Sequence, residues 1–207
     1  MISSKTLLKL LPTLGILTFI GIYIYAASIY PGGSQIDENS VGFQWLDNHW
    51  CNLMAERGLN GTPNPARPIA ITGITILCIS MIIFFIQFAD YFEKSRNWQW
   101  AIKISGALAM LSATFIFTKY HDAMTTILSI CGTVVIVGMI RALHKNQLDI
   151  FKVVGVLCMV IIGLNNFFYY DEDLTKYSPI VQKAAFLLIL SWTIGLNLKM
   201  MNKTDKP

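Results

Sequence analysis

Charge is scarce in this sequence. Asp, Glu, Lys and Arg make up 14% of its 207 residues, against about a quarter in soluble globular domains. The shortage argues against a water-soluble domain, which needs a charged coat. Histidine is scarcer still, at three residues, which leaves a multi-histidine metal centre short of ligands. Of the four cysteines, Cys78, Cys131 and Cys158 lie inside apolar stretches and only Cys51 falls in a long polar segment, so a disulfide framework is excluded. The net charge of +4 is not gathered into a basic patch with interleaved aromatics, and nucleic acid is therefore not an expected partner. The chain also lacks internal repeats and low-complexity tracts.

What the chain has instead is hydrophobicity: 54% of residues are apolar and the mean hydropathy is +0.53. Charges fall between long apolar runs, as a bilayer requires. A spanning helix needs about 20 apolar residues, and six stretches qualify: 7–30, 68–92, 98–118, 123–140, 150–170 and 179–198. The first is too long for the core of a secretory signal and has no small-x-small cleavage site, so it reads as a retained helix. The third and fourth are separated only by Lys119, Tyr120, His121 and Asp122. These four form a tight hairpin at the membrane surface, or the two stretches form a re-entrant pair.

Orientation follows from the basic residues. Eleven of the sixteen, among them Lys5, Lys9, Lys94, Arg96, Arg141, Lys145 and Lys199, fall on the face that carries both termini. Because cytoplasmic loops retain positive charge, that face is expected to be cytosolic. The predicted fold is therefore an all-α polytopic membrane bundle of six transmembrane helices, N-in and C-in, forming a single domain over 1–207. Its expected location is a cell membrane, crossed several times.

Only the first connection, 31–67, is long. It contains Phe43, Trp45, Leu46, Trp50, Leu53 and Met54 and is too apolar for a solvated linker. Apolar spacing at 43, 46, 50, 53 and 54, with Ser40 as cap and Gly58 as stop, predicts an amphipathic helix over 41–57 in this outer loop. Trp45 and Trp50 are expected at the membrane interface. Tyr30-Pro31-Gly32-Gly33 and the Pro-rich run from Gly61 to Pro68 fix sharp turns at its ends.

Polar residues converge on the outer boundary. His49 and Asn52 lie in the loop, Arg67 opens the second span, His121 and Asp122 open the fourth, and Asn165, Asn166 and Tyr169 close the fifth. Together they form a candidate ligand-binding pocket beneath the loop. An amide in hydrocarbon must find a partner, so Asn165 and Asn166 serve either as helix-to-helix glue or as ligand contacts. His121 with Asp122 has the composition of a base and its orienter, and a surface hairpin explains the pair equally. At the opposite end, Gln87, Asp90, Glu93 and Arg141 read as snorkelling ends and ordinary surface pairs. No pattern names a catalytic residue, a metal site or a cofactor.

The layout resembles the bacterial six-span membrane proteins of unknown function related to the damage-regulated autophagy modulator superfamily. The likeness rests on the six helices, the loop entry Glu38-Asn39-Ser40-Val41-Gly42 and the Asn64-Pro65 element before the second span. The stretch from Tyr30 to Pro68 also resembles a loop of uncharacterised membrane proteins from Bacteroidetes-type bacteria. Neither resemblance implies an activity. The chain departs from membrane hydrolases similar to alkaline ceramidase, which need three histidines around zinc in seven helices.

The leading expectation is a non-enzymatic membrane protein that binds a lipid or small ligand, or docks a partner protein, at the outer pocket. One alternative is a lipid-directed hydrolase or transferase using His121 and Asp122. Another is a small-molecule transporter, which the apolar centres of all six stretches disfavour. Membrane lipids are expected partners. Homo-oligomerisation is left open, because Gly132 and Gly138 can serve packing within or between chains.

Overall fold

A computed structural model describes residues 4–204. It is an all-helical bundle of six α-helices: α1 Ser4–Ser28, α2 Arg67–Phe92, α3 Arg96–Thr114, α4 His121–Lys145, α5 Asp149–Tyr170 and α6 Ser178–Thr204. Five of them, all but α3, are long and apolar enough to cross a membrane. That is the character of a multi-pass membrane protein. α3 is shorter, at 19 residues, and carries Arg96, Asn97, Gln99 and Lys103 in its first half.

Successive helices are neighbours, joined by short turns everywhere but between α1 and α2, and α6 returns to pack on α1, closing a ring. α2 sits deepest, with half of its spanning stretch buried and further contacts to α4 and α6. α5 is the most peripheral, with 11% of its spanning stretch buried. Small residues mark where helices touch. A Cβ on Gly106 of α3 would lie 2.5 Å from the Phe85 ring of α2, and one on Gly138 of α4 would lie 2.7 Å from Ile102 of α3. Gly138 thus packs within the chain, whereas Gly132 meets nothing.

Hydrocarbon obliges every polar group to find a partner inside the protein. Ser and Thr hydroxyls do so by bonding back to the carbonyl four residues earlier, as Thr75, Ser80, Ser112 and Thr193 do. Pro12 in α1 sets a harder case. It has no N–H, so the Leu8 carbonyl loses its helical donor. Gln87 of α2 replaces it, with Nε2 donating to the Leu8 carbonyl at 3.0 Å. Asn197 of α6, 1% exposed, donates to the adjacent Lys9 carbonyl at 3.0 Å and accepts from Thr13 Oγ1 at 2.7 Å. Two other helices thereby supply side chains to the turn of α1 around Pro12.

At the same end of the bundle, Glu93 in the α2–α3 turn is 3% exposed and paired with Arg141 of α4. Glu93 Oε1 also accepts from the Ser95 N–H at 2.8 Å, and the Arg141 guanidinium lies 5.1 Å from the Trp98 ring. Asn146 of the α4–α5 turn donates to the Phe92 carbonyl at 2.8 Å. The expected surface pair is therefore a buried clasp between two turns. Asp90 does behave as expected, pairing with Lys103 while half exposed.

Candidate functional site

The loop from Pro31 to Ala66 is ordered without being a helix over 41–57. Gly32 and Gly33 turn the chain with φ of +135° and +81°, and Gly32 bridges Val41. A side chain on Gly33 would strike the Asn60 backbone nitrogen at 2.2 Å, so only glycine lets the two limbs of the loop meet. The expected helix fails for local reasons. Gly42 takes φ +69°, the Asn48 side chain captures the Gln44 N–H at 2.8 Å, and the Ser40 hydroxyl caps nothing. Helix forms only as a short 3-10 turn, Trp50–Met54.

That turn inserts into the bundle. The Trp50 ring packs 5.8 Å from Phe19 and 5.6 Å from Tyr23 of α1, and 5.1 Å from Phe186 of α6. Leu53 is fully buried and Met54 nearly so. Trp50 is thus core, whereas Trp45 remains 47% exposed. The space expected to lie open beneath the loop is filled by the loop's own residues, which act as a plug.

Two asparagines hold the plug. Asn48, fully buried, donates to the Gly33 carbonyl at 2.8 Å, and its own carbonyl accepts from Lys183 of α6. Asn64 donates to the Leu53 and Ala55 carbonyls at 3.1 and 3.0 Å and accepts from the Ala66 N–H at 3.0 Å, tying the 3-10 turn to the start of α2. α6 supplies the dock. Ser178 Oγ lies 3.0 Å from His49 Nε2, Gln182 Oε1 accepts from the Trp50 N–H at 2.9 Å, and Lys183 stands 5.7 Å from the Phe43 ring centre.

His49 is 5% exposed, with Nδ1 3.4 Å from Gln35 Nε2 and its ring 6.1 Å from that of Tyr169. Burial, reinforced by the Lys183 charge, pushes it down to about 4, so the imidazole is neutral at pH 7. Burial also raises the Cys51 thiol, which makes it an inert core group. His49 and Ser178 have the separation of a base and its nucleophile, but with Ser178 at 1% exposure the pair serves as a latch.

The other predicted residues divide into separate groups. Arg67 pairs with Glu56 at 3.1 Å and keeps a buried Nε without a partner, while Asn52 holds a buried, unpartnered Oδ1 against the plug. His121 and Asp122 meet each other at 3.2 Å at the start of α4, with Asp122 fully exposed. Neither is hydrogen-bonded to the loop residues. Asn165 and Asn166 make no side-chain hydrogen bond among the described residues, and Asn165 Oδ1 is buried without a partner. Asn166 borders a shallow hollow of about 370 Å³ with Phe167, Tyr170 and Asp171. Among the described residues, no three His, Cys, Asp or Glu side chains converge to hold a metal ion.

The sequence reading missed Asn48, Ser178, Gln182 and Lys183. For the three on α6 the signal was the 178/182 spacing with Lys183 beside it, which places polar groups along the first turns of an otherwise apolar helix. Compared with known proteins, the chain matches no family model, no curated protein and no solved structure.

Proposed function

We propose that the chain is a six-span protein of the bacterial inner membrane, with cytosolic termini and a plugged outer end. α3 counts as a span because 19 residues extend roughly 28 Å at about 1.5 Å each, close to the hydrocarbon thickness. Its Lys103 is satisfied by Asp90. The orientation is supported by the basic residues gathered at the terminal end. An Asp37→Cys variant in intact spheroplasts is expected to react with a membrane-impermeant maleimide. Labelling only after lysis would reverse the orientation.

Within that frame, the protein is an amphiphile-binding membrane protein, taking a lipid or small ligand at the outer end of α5. The observation that carries this reading is the unsatisfied Asn165 carbonyl in a spanning helix, next to the hollow beside Asn166. An orphan amide oxygen away from water costs about 1–3 kcal/mol and is retained where a ligand supplies the missing donor.

The test is an Asn165→Ala, Asn166→Ala double variant. Native mass spectrometry is expected to show loss of co-purified lipid or ligand adducts at an unchanged melting temperature. Glue asparagines would give the opposite pattern, a lower melting temperature with the adducts intact.

A further inference from the structure

The terminal end of the bundle carries a second, independent feature. A cleft of about 290 Å³ lies between α1, α2 and α6, with Lys9, Gln87, Asp90, Tyr91 and Asn197 as its polar lining and Ile86 among its apolar residues. The cleft sits where Gln87 and Asn197 donate to the Leu8 and Lys9 carbonyls of α1 beside Pro12, leaving a polar floor at the membrane boundary. From this juxtaposition we infer that the cleft binds the phosphodiester group of an acidic phospholipid in the leaflet facing the termini.

Charge makes the assignment. Asp90, the only carboxylate among the described residues that line the cleft, is neutralised by Lys103 of α3. Lys9 is exposed, and none of the five ion pairs in the described residues includes it. The described lining therefore presents one net positive charge, with Tyr91 and the second Gln87 N–H as further donors. A phosphodiester accepts hydrogen bonds from all three kinds of donor. The volume accommodates a headgroup and not a whole lipid, so the acyl chains lie outside it, along the apolar surface of α2 that continues from Ile86. A second positive group on the headgroup would find no free carboxylate, which favours an anionic lipid over a zwitterionic one.

The experiment uses the full chain, purified, delipidated in detergent and titrated with lipid under native mass spectrometry. Phosphatidylglycerol is expected to bind more tightly than phosphatidylethanolamine of the same chains. Lys9→Gln is expected to weaken phosphatidylglycerol roughly five-fold, the worth of one partly screened ion pair, and to leave phosphatidylethanolamine unchanged. Lys152→Gln, which removes a lysine already paired with Asp149 at the same end, is expected to change neither.

Equal binding of the two lipids would overturn the inference. So would wild-type affinity in Lys9→Gln, or an equal loss in Lys152→Gln. Competition with glycerol 3-phosphate separates the sources. Displacement of the lipid means that a free phosphate ester suffices, and its failure, with the Lys9 effect intact, means that the acyl chains are required. Among the described residues the Lys9 side chain makes no hydrogen bond or ion pair, and only its backbone carbonyl is used, so its replacement leaves the fold intact. The outcome is also independent of Asn165 and Asn166.

Discussion

Arg141→Ala is expected to destabilise the folded bundle by about 3–5 kcal/mol, because it strands a buried carboxylate. Glu93 is 3% exposed and depends on two partners, the Arg141 guanidinium and the Ser95 N–H. With Arg141 gone, one hydrogen bond remains for an ionised group cut off from water. The variant also loses the contact between the guanidinium and the Trp98 ring, which is worth roughly 0.5–1 kcal/mol where partly open. Glu93→Gln is the milder change, because an uncharged amide still accepts from Ser95 and Arg141. It is expected to cost about 1–2 kcal/mol. Reversible unfolding in mixed detergent, followed by tryptophan fluorescence, ranks the two, and a loss for Arg141→Ala no larger than that for Glu93→Gln would show that the carboxylate is not buried in the folded protein.

The clasp also gives a pH dependence of known sign. Burial pushes the Glu93 carboxyl up, but the Ser95 N–H, Arg141 and Lys145 pull it further down, leaving it below the usual carboxylate range. The stabilisation is therefore fully present above the unfolded value, near 4.3, and is lost as pH falls through the lower folded value. In Arg141→Ala burial acts with less opposition, so the acid limb of the stability curve moves to higher pH.

The helices and the clasp differ in how legible they are from sequence. Long apolar runs fix spans because a bilayer tolerates few alternatives, and the limits of α2 and α5 fall within one residue of those expected. α3 was harder, since its first half is polar and its satisfaction depends on Asp90, a residue of another helix. Glu93 and Arg141 lie 48 positions apart, and nothing local distinguishes a buried partner from a snorkelling one. Asn197 reads as an ordinary polar residue near a helix end. Its partners, the Lys9 carbonyl and the Thr13 hydroxyl of α1, lie more than 180 positions away in sequence.

The loop misled for a related reason. Residues 43, 46, 50, 53 and 54 have helical spacing, yet Leu46 is 64% exposed while Phe43, Trp50, Leu53 and Met54 are buried. Their burial follows from insertion between α1 and α6 and not from a shared helix face. Asn64, whose amide donates to the Leu53 and Ala55 carbonyls and accepts from the Ala66 N–H, is the kind of turn residue whose identity as a clamp appears only once the 3-10 turn is in place. The residues expected to share one outer pocket are divided between the plug and the α4–α5 margin, because the loop inserts into the bundle instead of roofing it.

The plug should loosen on acidification through His49. Docked, the imidazole is neutral down to about 4; released into water, it returns to its ordinary value of 6.5. Between these values the undocked loop binds more protons than the docked one, so docking free energy falls as pH falls, by about 1.4 kcal/mol per unit. The accumulated loss across the window is about 3 kcal/mol, comparable with several of the hydrogen bonds that seat the loop. Lys183 works in the same direction, because a protonated His49 would face a second cation where Ser178, Gln35 and Tyr169 supply no negative charge. Hydrogen exchange of the 48–54 amides, corrected for intrinsic rates, is expected to quicken between pH 6.5 and 4 in the wild type. In His49→Gln, which can still bond Ser178 but carries no proton, exchange should be slower at pH 4 than in the wild type and flat across the window. An equal acid response in both proteins would place the sensitivity elsewhere, with the Glu93 clasp the first alternative.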